Sequence, residues 1–316
     1  MKLTVWGAAQ QVTGSMHLLE LDNYKILIDC GLDYERDTWL EENEQFPFSP
    51  EDIDVVILTH AHIDHSGNLP TLVRMGFGGQ ILCTPPTADL TELLLLDSVN
   101  IFLSKQRKKR RGKREFSSGP KPLYFHKHVM ETVDRFVTIG FNKPFKLNGQ
   151  ATLTFVPMGH LLGAAAAVFT VWEDGKEKSI AFSGDIGRKN YPVLNDPEEL
   201  PQVDYLVCES TYGGRMHKAT NTIEEMLVEA VSEACIKTPG RLIIPAFSIG
   251  RTQALVYSLN RIFSEGLLPR VKVFVDSPMA TYATEIFRKH HHLVNAEAQE
   301  FYRQRGDEFE FDNLEY

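Results

Sequence analysis

His60-Ala61-His62-Ile63-Asp64-His65 follows directly on Asp54-Val55-Val56-Ile57-Leu58-Thr59, and this junction decides the fold. The upstream run is short, β-branched and bounded by polar residues, the pattern of a parallel strand buried on both faces. In α/β sheets the binding residues gather beyond the carboxyl ends of such strands. Three imidazoles and a carboxylate within six residues are more than a solvated loop needs. Neutral imidazole and carboxylate suit zinc and similar divalent ions, so the stretch predicts a metal centre at a strand end.

The same arrangement recurs outward from the cluster. Upstream, Leu3–Gly7, His17–Leu21 and Lys25–Asp29 read as strands, the last ending in Asp29-Cys30-Gly31. Asp29 is either a residue that orients a metal ligand or a strand-end cap. Downstream, Ala151–Val156 leads into Gly159-His160, and Ser179–Phe182 into Ser183-Gly184-Asp185. Asp204–Cys208 leads into Glu209-Ser210-Thr211-Tyr212-Gly213. A strand followed by a ligand-type residue thus occurs four times. Helices are expected over 67–75, from Thr87 to about Leu103 after a break at Pro85-Pro86, and around His126 and His128, a pair expected at the surface. Cys30 and Cys208 lie in strand-like runs and are expected to be buried.

Composition sets the outer limits. The 316 residues are 43% hydrophobic and 24% charged, a globular balance with ample core material. No stretch approaches the roughly 18 apolar residues of a membrane span. Met1-Lys2 runs straight into strand-like sequence, and the four cysteines form no paired motif; the setting reads as cytoplasmic. The formal charge of −9 falls to −17 without the Lys105–Arg114 run, in which eight of ten residues are basic. That run is either a solvated loop or helix extension, or a phosphate-contacting patch using Lys108, Arg110 and Arg111.

After residue 221 the pattern becomes that of α/β crossovers. A helix is expected over 223–237, a strand over 241–245, a helix over 252–263 and a strand over 271–275. Ser248-Ile249-Gly250-Arg251 forms a glycine-containing turn before a helix, a place where a phosphate can sit. Ser248, Gly250 and Arg251 are therefore candidates for contact with a phosphate. The strand-end donors divide into His60, His62, His160 and Asp185 for one metal, and Asp64, His65 and a shared Asp185 for a second. Two metals about 3.5–4 Å apart could clamp both oxygens of an in-line phosphoryl displacement.

Taken in order, His60–His65, Gly159-His160 and Ser183-Gly184-Asp185 resemble the successive metal motifs of the metallo-β-lactamase superfamily, with Asp29-Cys30-Gly31 as its early Asp-x-Gly element. Glu209–Gly213, Pro245–Gln253 and Asp276–Ala280 are similar to signatures of its β-CASP group, whose members process nucleic acids. The resemblance implies a four-layer αβ/βα metallo-β-lactamase fold over residues 1–209. An inserted, incomplete β-CASP α/β domain would then occupy 210–316. It implies two zinc ions, with His60, His62 and His160 on the first, Asp64 and His65 on the second, and Asp185 bridging. Catalytic roles would fall to Asp64, Asp185 and Glu209: Asp64 positions a metal-bridging hydroxide, and Glu209 orients a later histidine.

The implied activity is zinc-dependent hydrolysis of RNA phosphodiesters, with single-stranded RNA as partner and a homodimer as a further expectation. Alternatives are a hydrolase of small esters or thioesters on the same metals, or a metal-poor scaffold subunit. His217 matches a histidine that often follows Thr-Tyr-Gly, whereas Gly214 departs from the pattern. The group's two late histidines find no match, since His290, His291 and His292 read as a surface run. The sequence therefore reads as a fragment that holds its second zinc weakly and has little nuclease activity of its own.

Overall fold

The computed structural model describes residues 1–34, 45–112, 122–173, 175–215 and 222–316, with the backbone alone for 105–112. The chain divides into two compact units. The first comprises 1–158, 163–186 and 198–209; the second comprises 159–162, 187–197 and 210–316.

In the first unit the strands are β1 (Lys2–Val5), β2 (His17–Leu21), β3 (Tyr24–Ile28), β4 (Val55–Ile57), β5 (Gln80–Cys83) and β6 (Phe136–Thr138). They form one six-stranded sheet in that order. The first three are antiparallel, and β3 to β6 run parallel. The second sheet holds β7 (Phe145–Lys146), β8 (Ala151–Pro157), β9 (Ala165–Glu173), β10 (Lys176–Phe182) and β11 (Tyr205–Val207), in the order β11-β10-β9-β8-β7.

Alternation along the strands explains how the sheets stack. Leu19, Ile26, Ile28, Val55 and Ile57 turn one face of the first sheet inward. There they form a single core with Leu153, Phe155, Phe169, Ile180 and Phe182 of the second. Leu18, Leu27, Val56 and Ile81 turn the opposite face toward Leu69, Leu72 and Val73. Those three lie on helix α2 (Leu69–Arg74), which follows the single turn α1 (Ile63–Ser66). Helix α3 (Pro85–Gly112) packs Leu95, Val99 and Phe102 against Leu123, Tyr124 and Val129, the last on α4 (His126–Val133). The outer face of the second sheet meets Leu200 and Val203. Phe169 is fully buried at the centre; truncating such a ring to alanine typically costs about 3–5 kcal/mol.

Several local expectations change. The strand β5 ends before Pro85-Pro86 as expected, but α3 starts at Pro85 instead of Thr87, because a proline in the first helical turn forfeits only an N–H that had no helical partner. The helix then carries through the basic run as far as Gly112. His128 is buried rather than at the surface, its Nδ1 accepting from Phe125 N at 3.1 Å. Cys30 is buried, but Cys208 is exposed, because β11 is an edge strand.

In the second unit, α5 (Ile223–Val231) opens on a reciprocal cap. Thr222 Oγ1 accepts from Glu225 N, and the Glu225 carboxylate accepts from Thr222 N. The expected single helix to 237 continues as a π-helical stretch, Ser232–Lys237. Next come α6 (Arg251–Ser264), β12 (Val273–Phe274), α7 (Pro278–Lys289), α8 (Ala296–Arg305) and β13 (Leu314–Glu315). Leu227, Val231, Leu259, Ile262 and Phe263 make the local core. The parallel sheet expected here is only the β12–β13 pair among the described residues, and 241–245 is extended without a ladder. His290 is buried and His291 Nδ1 lies 2.9 Å from the buried Glu308 carboxylate, so the expected surface run holds only for His292.

Candidate metal centre

The His60–His65 segment leaves β4 and is bolted down by its neighbours. Leu58 N donates to Leu82 O, while Cys30 N donates to His65 O and Leu32 N to Ile63 O. Ser15 N donates to Asp64 O, and the Ser66 hydroxyl donates to Ala61 O and His62 O. Gly31 lies so close that a Cβ there would fall 1.6 Å from Asp64 O. From the second sheet, Ala165 N donates to Thr59 O at 3.0 Å, tying the start of β9 to the end of β4.

His60, His62, His160 and Asp185 each offer one donor atom, and these atoms all lie within 4.8 Å of one another. His160 rides on the β8–β9 loop, whose neck is closed by Met158 N donating to Ala164 O. Gly159 in that loop has φ +61, and a Cβ there would fall 2.3 Å from Asn195 O, so only glycine fits. His60 Nε2 and His62 Nδ1 are 3.1 Å apart. Two nitrogen ligands of one tetrahedral zinc stand about 3.3 Å apart, so this pair of nitrogens fits such an ion.

Asp29 controls which nitrogens are offered. Its Oδ1 accepts from Thr59 N at 2.8 Å, and its Oδ2 accepts from the Thr59 hydroxyl at 3.0 Å. With its proton spent on Asp29, the Thr59 hydroxyl can only accept from His60 Nδ1, 3.1 Å away. His60 is thereby held as the Nδ1–H tautomer with its Nε2 lone pair toward His62. His65 Nδ1 lies 2.7 Å from Asp29 Oδ2, which leaves its Nε2 facing Asp185 Oδ1 at 3.2 Å. Asp29 therefore both closes its strand and orients two imidazoles. No local sequence signal marks this role of Thr59, although it sits immediately before the cluster.

Asp185 follows β10, and its two oxygens point different ways: Oδ1 to His65 and Oδ2 to His60 Nε2, 3.8 Å away. Glu209 secures this turn, accepting from Ile186 N at 3.1 Å while its own N–H donates to the Ser183 hydroxyl. Burial raises the Asp64 pKa; the His65 charge opposes this and Asp185 adds to it. Burial alone would lower His65, but Asp29 and Asp185 outweigh it and hold its pKa well above the ordinary imidazole value. Burial lowers the His17 pKa against the pull of Asp29.

The other sequence candidates belong to other segments of the chain. Ser248, Gly250 and Arg251 form the turn into α6, with Gly250 at φ +78. The Gly250 N–H is already donated to Gln253 Oε1, so its contribution is conformational. Lys108, Arg110 and Arg111 lie on α3, but their side chains fall outside the described residues, as does His217. No helix among the described residues is long and apolar enough to cross a membrane.

The profile of the metallo-β-lactamase superfamily matches residues 10–230, and the chain belongs to that superfamily. The profile of the Beta-Casp domain matches residues 252–316, which makes the chain a member of the superfamily's β-CASP group. The chain is 31% identical to Ribonuclease TTHA0252 of Thermus thermophilus over 100% of its own length and 67% of the relative's. It is 32% identical to Transcription termination factor FttA of Methanosarcina mazei, over 96% of its own length and 46% of the relative's. The chain thus spans between less than half and two thirds of these relatives. A crystal structure of a protein of unknown function from Enterococcus faecalis shares the fold, at TM-score 0.52 and 17% identity over 90% of this chain and 67% of that one.

Proposed function

We propose that the chain carries the metal-holding core of a ribonuclease that hydrolyses phosphodiesters of single-stranded RNA. The lactamase domain would be 1–209 and the β-CASP domain 210–316. The observation that carries this reading is the four-donor group His60, His62, His160 and Asp185, joined in one chain to a β-CASP sequence. His60, His62 and His160 would hold one zinc, Asp64 and His65 a second, and Asp185 would reach both, consistent with its divided oxygens. Bound there, zinc would supply Lewis acidity to the phosphoryl oxygens and a lowered pKa to water.

The protein's own part is orientation. Asp29 and Thr59 fix the imidazole tautomers, and Glu209 holds the Asp185 turn. The Asp64 carboxylate would accept a hydrogen bond from the attacking water and aim it at phosphorus. Arg251 and Ser248 would contact the RNA backbone, and Lys108, Arg110 and Arg111 would add further phosphate contacts. An RNA substrate implies a cytoplasmic setting.

The test offers labelled RNA, DNA of the same sequence, a chromogenic phosphodiester and a thioester to the protein, with and without chelator. Chelator-sensitive RNA cleavage that disappears in Asp64→Ala is expected. Hydrolysis of the thioester alone would replace this reading with the small-ester one.

A further inference from the structure

We infer that Phe247, with Arg251 beside it, is a base-stacking platform for a nucleotide of the RNA strand; this rests on the ribonuclease reading above. Phe247 is 76% exposed, an unusual position for a phenylalanine. Its backbone is nevertheless held firmly. Its carbonyl accepts from both the N–H of Thr252, at 3.3 Å, and the Thr252 hydroxyl, at 2.8 Å. The next carbonyl, that of Ser248, accepts from the amide of the fully buried Gln253 at 3.2 Å. The same Gln253 side chain accepts from Gly250 N and donates to Thr284 Oγ1 at 3.0 Å. The ring is thus presented to solvent from a fixed turn.

The Arg251 guanidinium lies 5.8 Å from the centre of the Phe247 ring. A cation at that distance is attracted to the ring's electron-rich face, and it adds a positive charge that an RNA phosphate can use. An exposed aromatic beside a cation is the arrangement with which proteins grip single-stranded nucleic acid, because every base has a face to stack and every nucleotide a phosphate. The predicted contact is therefore tolerant of sequence. Phe247 supplies stacking, and Arg251 supplies charge. Neither is a donor of the metal group, so the contact bears on binding of the strand rather than on the metal.

The test measures binding of two phosphorothioate-linked oligoribonucleotides of equal length, one of uridines and one abasic throughout. Wild type, Phe247→Ala, Phe247→Trp and Arg251→Ala are compared, with thermal unfolding of each. Phe247→Ala should weaken binding of the uridine strand about tenfold, as expected for loss of one stacked base, and leave the abasic strand unchanged. Phe247→Trp should restore the loss, and Arg251→Ala should weaken both strands. In cleavage of ordinary RNA, Phe247→Ala should raise KM with little change in kcat.

Equal weakening of both strands, or none of either, overturns the platform while RNA cleavage by wild type leaves the ribonuclease reading standing. A change in sedimentation coefficient with Phe247→Ala, without a base-dependent effect, would assign the ring to contact with a second copy instead. Absence of any RNA binding or cleavage by wild type removes both.

Discussion

His65 Nδ1 and Asp29 Oδ2 lie 2.7 Å apart in the buried floor of the metal centre, and the same carboxylate reaches His60 through the Thr59 hydroxyl. One carboxylate therefore determines which nitrogen two imidazoles present. In Asp29→Asn, an amide N–H turned toward His65 would favour the tautomer that carries its proton on Nε2, the wrong atom for a ligand. Metal affinity should fall about 10- to 100-fold, the usual cost of losing an orienting partner. Competition with a chromophoric chelator measures it. Thr59→Val should give a smaller loss, through His60 alone.

Gly31 provides a steric test of the same floor. Its missing Cβ is replaced by the Asp64 carbonyl, backbone against backbone, so no side chain can yield. Gly31→Ala should destabilise the fold by roughly 3 kcal/mol or more, as overpacking against a rigid neighbour does, and displace Asp64 and His65. Gly78, where a Cβ meets nothing within 4 Å, is the matched control, and Gly78→Ala should be close to neutral. Denaturant unfolding of the pair decides the point.

His17 predicts a pH dependence of stability. Its Nδ1 is buried with no hydrogen-bond partner, its ring stacks on Phe182 at 5.9 Å, and burial lowers its pKa. The unfolded chain takes up a proton near pH 6.5, whereas the folded chain does so only at lower pH. The neutral imidazole's contribution is therefore complete above that value and is lost as pH falls toward the folded pKa. Wild type should lose stability relative to His17→Phe between pH 7.5 and 5.5, as read from denaturation midpoints at the two pH values. A constant difference would show that His17 titrates normally.

The basic end of α3 should show itself through salt. Neutralising Lys108, Arg110 and Arg111 together should reduce the log–log salt slope of single-stranded RNA binding by up to about 2, if all three meet phosphates. An unchanged slope would leave the run as a solvated helix end.

The metal-binding strands were easy to read because chemistry and periodicity coincide there. β2 runs from His17 to Leu21 as its alternation implies, and His60, His62, His160 and Asp185 converge as donors although 125 positions separate the first from the last. What was illegible depended on partners far along the chain. Nothing near Thr59 shows that its hydroxyl is committed to Asp29. Nothing beside His128 or His290 shows that each is buried. Arg241–Pro245 has strand-forming residues, yet strand propensity takes effect only with a neighbour to pair with, and among the described residues none lies alongside. Cys208 ends a strand-like run yet is exposed, because the edge position of that strand is not visible locally.

The most direct test of the central claim is zinc titration of chelator-stripped protein, followed by the initial rate of RNA cleavage. The rate should be negligible without metal and rise to saturation as zinc is added. In Asp185→Asn it should stay near the stripped level at every zinc concentration. Undiminished cleavage by the stripped protein, or full activity in Asp185→Asn, would contradict the assignment of this cluster as the metal centre.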